Sequence, residues 1–177
     1  MSDLLLALYL QIPLVFSGVL HMVAVTYNWF PTLRIALHTP YFGANKTWRG
    51  FIFMPLFTVL GIMVLWLSES LIHVPLLAQK NMFTGGILLG LGYVLAELPN
   101  SFLKRRLGIA AGKHPEHHKQ WFIFLDQFDS GFGVALVYWL YFNVPLPICL
   151  LYIVTFPVTA LLVKKGLFLA GLKKTSV

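Results

Sequence analysis

Residues 82–106 read MFTGGILLGLGYVLAELPNSFLKRR, an apolar run that ends in an acid, a serine and three consecutive bases. From Met82 to Leu98 the run is long enough for most of a membrane-crossing helix, which uses about 20 residues. Gly86 and Gly90 stand four apart, the spacing that lets two helix backbones approach closely, with Gly85 and Gly92 beside them. This stretch is therefore predicted to be a central span of a helix bundle. If the helix continues past Leu98, then Glu97, Ser101 and Arg105 share one face, with Lys104 next to them.

The remainder of the chain agrees with a membrane setting. Of 177 residues, 58% are hydrophobic and 11% charged, with a mean hydropathy of +0.79; a soluble domain carries roughly a quarter charged residues. Further apolar runs at 4–27, 51–72, 130–143 and 146–163 predict an all-α, polytopic bundle of about five spans in a single integral membrane domain, 1–177. The fourth run reaches spanning length if its helix starts near Phe122 and takes in two aspartates. The first has no basic n-region or cleavage site and reads as a retained span. The lone cysteine, Cys149, lies in an apolar run and reads as a packing residue. A net charge of +7 points to membrane topology and anionic lipid rather than to nucleic acid, which calls for a soluble basic face. Twelve of the 13 Lys and Arg fall in the segments after the first, third and fifth spans, and only Lys80 falls on the other side. The positive-inside rule then places the N-terminus outside, the C-terminus in the cytosol, and both polar loops where nucleotides are. This suits a multi-pass protein of the cell (inner or plasma) membrane with its active site on the cytosolic face.

Three constellations carry the chemistry. Gly43-Ala44-Asn45-Lys46-Thr47-Trp48-Arg49-Gly50 combines a flexible backbone, two cations and hydrogen-bonding side chains, which together suit a polyphosphate. It lacks the order of a Walker loop, and a basic flank with an interfacial Trp explains it equally well. Ser101, Lys104, Arg105 and Arg106 hold more positive charge than a helix end requires, which favours phosphate binding. Asp126 and Asp129, three apart on one helix face, repel unless a cation lies between them. Mg2+, which takes one or two carboxylates plus phosphate oxygens, fits there, with Glu97 as a third candidate ligand; ion pairs with the basic cluster are the alternative. His114, His117 and His118 lack the ordering of a zinc motif and read as a solvated loop.

GANKTWRG, SFLKRRLGI and LDQFDSGFG, in that order and on those loops, resemble the CDP-archaeol synthases, five-span membrane enzymes related to phosphatidate cytidylyltransferases. By topology the resemblance covers nearly the whole chain. It implies transfer of a cytidylyl group from CTP to a lipid phosphate with Mg2+ as cofactor, release of pyrophosphate, and a place in phospholipid synthesis. It further implies phosphate-binding roles for Asn45, Lys46, Thr47, Arg49, Ser101 and Arg106. Lys104, Arg105, Asp126 and Asp129 become the catalytic group, and Asp126, Asp129 and Glu97 the metal ligands, Glu97 standing where the family pattern has Asp. The competing readings are a CTP-dependent lipid kinase, an anion carrier and a non-enzymatic lipid-binding protein. Whether the chain forms a homo-oligomer stays open.

Overall fold

The computed structural model describes residues 2–72, 80–112 and 119–172. Among the described residues seven α-helices follow in order: α1 (Asp3–Tyr9), α2 (Ile12–Thr26), α3 (Thr39–Phe42), α4 (Trp48–Ile72), α5 (Met82–Arg106), α6 (Lys119–Leu140) and α7 (Leu146–Leu169). Among the described residues there is no β-strand, only an isolated bridge between Ala36 and Thr47. The stretches Asp3–Thr26, Trp48–Glu69, Met82–Arg106 and Leu146–Leu169 are long and apolar enough to cross a membrane. The fifth long helix, α6, has 22 residues. It is not among those four stretches, and Asp126, Gln127 and Asp129 interrupt its apolar run.

The molecule turns oily side chains outward. On α7, Leu146, Leu150, Val154, Val158 and Leu162 form an exposed stripe at a spacing of four residues, which water would penalise and lipid tolerates. Inside, helices meet through glycine. A Cβ on Gly86 would lie 2.6 Å from Val59 Cα, and one on Gly90 would lie 2.7 Å from Pro55 N, both on α4. On the far side of α5, a Cβ on Gly92 would lie 2.8 Å from the carbonyl oxygen of Gly133 on α6. The helix expected at the centre is thus at the centre, clasped by α4 and α6.

Two boundaries differ from expectation. The first span is two helices, broken at Leu10–Gln11, because Pro13 cannot donate to the carbonyl one turn back. The break is repaired by side chains: the Tyr138 hydroxyl donates to the Leu10 carbonyl at 2.7 Å, and Gln11 Nε2 donates to Thr155 Oγ1 at 2.7 Å. By contrast, α6 starts at Lys119, near the expected Phe122, and takes in Asp126 and Asp129 as expected. The second difference is at α7, which runs on to Leu169, drawing Lys164 and Lys165 into a helix where a tail was expected. Asn143 in the left-handed region (φ 57°) makes the turn between α6 and α7, as the Asn-Val-Pro-Leu-Pro sequence predicts.

Candidate active site

Four elements bring the polar residues together at one end of the bundle. The loop between α2 and α4 folds back on itself, with Leu37 N–H bonded to the Lys46 carbonyl at 2.8 Å and Trp48 N–H to the Ile35 carbonyl at 2.9 Å, so Lys46 is held at a fixed height above α4. Thr47, the residue before α4, accepts the Gly50 N–H at 3.4 Å, the bond of a helix N-cap. Gly43 has φ +86°, and a Cβ there would come within 2.9 Å of Ala111 Cβ; only glycine lets this loop close over the end of α5.

From α5, Glu97, Ser101, Lys104 and Arg105 point into one cavity of about 200 Å³, as a helix face dictates. Asp126, Gln127 and Asp129 enter from α6, Asn45 and Lys46 from the loop, and Lys164 from α7. Ion pairs cross between elements, Lys46 with Glu97 and Lys104 with Asp126 among them. Asn100 Nδ2 donates to Asp126 Oδ1 at 2.7 Å, the Ser130 hydroxyl donates to Glu97 Oε1 at 3.1 Å, and the Ser130 N–H donates to Asp129 Oδ1 at 2.8 Å. Lys104 is buried, and Arg105 Nε is buried without a hydrogen-bond partner. In such surroundings both attraction and unmet polarity count for more than at an open surface.

Lys46, Asn45, Ser101, Lys104, Arg105, Glu97, Asp126 and Asp129, all expected from the sequence, therefore line one cavity. Three other expected residues stand elsewhere. Thr47 caps α4 and borders a neighbouring apolar cavity. Arg49 is buried and fastens the preceding loop, its Nη1 donating to Asn28 Oδ1 at 3.3 Å and to the Trp29 carbonyl at 3.4 Å. Arg106 stacks over Phe102 and Tyr41, at 4.9 and 5.5 Å from the ring centroids. The His114–His118 stretch lies outside the described residues.

The three acids expected to share a metal do not form a ready-made cage. Among the described residues no three His, Cys, Asp or Glu side chains are gathered to hold an ion by themselves, and Glu97 gives one oxygen to Lys46 and the other to Ser130. The donor chemistry nonetheless suits Mg2+, which is usually bound through one or two carboxylates with phosphate oxygens and water completing its shell. Asp126 and Asp129 offer hard oxygen donors of that kind, in the same cavity as Lys104 and Arg105.

A second cavity, of about 270 Å³, adjoins the first and is lined mainly by apolar side chains of α2, α4, α5 and α7, Leu14, Phe51, Val94 and Phe156 among them. Asn45, Lys46, Glu97, Gln127 and Lys164 border both cavities.

A charged cavity against an oily one is what an enzyme needs to join a water-soluble phosphate to a lipid. Residues 37–175 match the family model described as CarS-like, CDP-archaeol synthase. The chain belongs to the CDP-archaeol synthase family. Members of this family are CTP-dependent cytidylyltransferases of lipid synthesis, and the chain is accordingly a nucleotidyltransferase. The CDP-archaeol synthase of Methanoculleus marisnigri is similar to it, with 34% identity over 123 residues, 66% of this chain and 69% of that protein. No solved structure matches. The family match takes in α3 to α7 and both polar loops and leaves α1 and α2 outside. Asn100, Ser130, Gln127 and Lys164 are residues of this site to which sequence reasoning gave no role; Gln127 and Ser130 lie within LDQFDSGFG and Asn100 adjoins SFLKRRLGI, but only the helix contacts reveal their surroundings.

Proposed function

We propose that the chain transfers the cytidylyl group of CTP to the phosphate of a membrane lipid, yielding a CDP-lipid and pyrophosphate, as a step of phospholipid synthesis. The observation that carries this reading is the convergence of Lys104, Arg105, Asp126 and Asp129 on one cavity in a chain of this family. A lipid phosphate oxygen attacks the α-phosphorus of CTP, forming a new P–O bond while the bond from that phosphorus to the β-phosphate oxygen breaks; the electron pair leaves with pyrophosphate. The attacking group is already an anion and needs no general base, so the chain contributes positioning and charge neutralisation. Asn45, Lys46 and Ser101 hold the polyphosphate, and Lys104 and Arg105 answer the charge that grows on the leaving group. Arg49, Thr47 and Arg106 support these groups by fixing the loop and the end of α5. Asp126 and Asp129 would hold Mg2+, which when bound neutralises polyphosphate charge. Glu97 joins that set only where Lys46 turns from it to phosphate.

The name of the Methanoculleus relative makes an ether-linked acceptor the first to try. Purified chain given Mg2+, an ether-linked or ester-linked lipid phosphate and CTP labelled at the α-phosphate is expected to yield a labelled lipid and unlabelled pyrophosphate. Transfer from CTP labelled at the γ-phosphate would instead make it a lipid kinase and overturn the reading.

The proposed orientation puts this cavity on the cytosolic side of the cell membrane. The loop from Asn28 to Thr47, the end of α5 and the end of α7 share one end of the bundle, with Thr26 Oγ1 donating to the Leu172 carbonyl at 2.9 Å, and their basic load resists translocation. Cysteines introduced at Ala44 and Ala111 are expected to react with an impermeant thiol reagent only when the cytosolic face is open. Reaction from outside on either would reverse the topology.

A further inference from the structure

Lys164 is a charge in the wrong company. Ala160, Val163, Lys164 and Leu167 share the α7 face that lines the apolar cavity, and of these only the lysine also borders the polar one. A basic residue at the end of a span ordinarily turns outward as a topology marker, and the neighbouring Lys165 is exposed and does so. Lys164 is partly buried and stands with Lys46 at the neck where the two cavities meet. Among the described residues, Lys46, Lys164 and Glu97 stand at that neck, with the polar cavity on one side and the apolar one on the other.

We infer that Lys164 binds the phosphate of the acceptor lipid, holding it at the neck with the lipid's apolar body in the cavity between α2 and α7. The inference rests on the proposed cytidylyl transfer and adds the acceptor's seat to it. The ligand class follows from the two linings: an anionic phosphate monoester joined to an apolar chain satisfies both, whereas a free phosphate uses only the neck. Part of the seat comes from α2, where Leu14, Gly18 and His21 face the cavity, outside the residues that the family model matches. Acceptor selection is thereby assigned to the first and last spans, and the chemistry to α5 and α6.

The test compares the full-length chain with Lys164→Gln, Lys164→Arg and Lys165→Gln. In mixed micelles containing CTP and Mg2+, Lys164→Gln is expected to raise the KM for dioleoyl phosphatidic acid or a dialkyl-ether lipid phosphate about tenfold, the worth of one lost charge-assisted hydrogen bond. The KM for CTP should stay within about twofold, Lys164→Arg should recover most of the affinity, and Lys165→Gln should resemble the parent. A second arm measures equilibrium binding of the same labelled lipid phosphates without CTP, with dioleoylglycerol and glycerol phosphate as the ligands lacking phosphate and tail. Weaker binding of the lipid phosphate alone in Lys164→Gln supports the inference even if no acceptor is turned over, an outcome that would count against the transfer reading only. A raised KM for CTP with lipid binding unchanged would assign Lys164 to the nucleotide and overturn the inference. So would equal effects of Lys164→Gln and Lys165→Gln.

Discussion

Asp126→Asn and Asp129→Asn are each expected to lower turnover at least about a hundredfold, the scale on which loss of a preorganised electrostatic group acts. Asparagine keeps the shape and one oxygen but loses the charge that a hard cation and a buried ammonium both require. The complication is that Asp126 pairs with Lys104, so its removal also leaves a buried charge uncompensated, which costs a few kcal/mol of stability. The double variant Asp126→Asn/Lys104→Met separates the two effects. Its melting temperature should recover while its rate stays low, since Lys104 is itself in the proposed catalytic group; Asp129→Asn, whose carboxylate accepts from the Ser130 N–H, tests the charge of an acid without breaking that ion pair. Turnover of CTP to CDP-lipid, measured beside thermal unfolding in detergent, reads both. Near-normal rates in the single variants would remove these acids from the mechanism.

Gly92→Ala, a change of one methyl group in an apolar helix, is expected to lower turnover by one to two orders of magnitude while barely changing hydropathy. The new Cβ would lie 2.8 Å from the Gly133 carbonyl oxygen and 2.9 Å from Val137 Cγ2, so α5 and α6 must separate. Overpacking of this kind costs about 1–3 kcal/mol. The catalytic cost is larger because Glu97 and Lys104 ride on α5 while Ser130 and Asp126 ride on α6, and a misplacement of about 1 Å can cost a hundredfold. Gly166→Ala on α7, where a Cβ meets nothing within 4 Å, is the control and should leave both rate and stability unchanged. Equal behaviour of the two variants would refute the close α5–α6 contact.

The contrast between these glycines shows what could be read from the chain directly. The spacing of Gly86 and Gly90 marked α5 as a packing helix, and helical periodicity placed Glu97, Ser101, Lys104 and Arg105 on one face, where they are. Periodicity describes one helix at a time, however, and says nothing of partners. The pairing of Lys46 with Glu97 joins a loop to a helix, and Asn100 acquires a role only because Asp126 stands opposite it. Arg106 belonged to the same basic triplet as Lys104 and Arg105, but one residue further along a helix is a turn of about 100°, which carries it out of the cavity and onto Phe102 and Tyr41. Lys164 was concealed by its company, since a lysine pair at the end of an apolar run reads as a topology signal. The break in the first span had a visible cause in Pro13, masked by the continuous oil around it.

The ion pair between α5 and α6 also bears on how the protein enters its membrane. On the insertion scale an aspartate costs about 2.5–3.5 kcal/mol at the middle of a span, less toward its ends, and leucine, isoleucine, phenylalanine or valine returns only about 0.3–0.6. With two aspartates and a glutamine, α6 is a poor client for lateral release into lipid on its own. When α6 emerges, α5 has already been made, and it presents Lys104 and Asn100 to Asp126 and the bare backbone of Gly92 to Gly133. The two helices are therefore expected to insert as one unit, with the earlier hairpin arm acting as a chaperone for the later one. The residues that bring the proposed site together would then also be the ones that offset the cost of placing two aspartates in a bilayer.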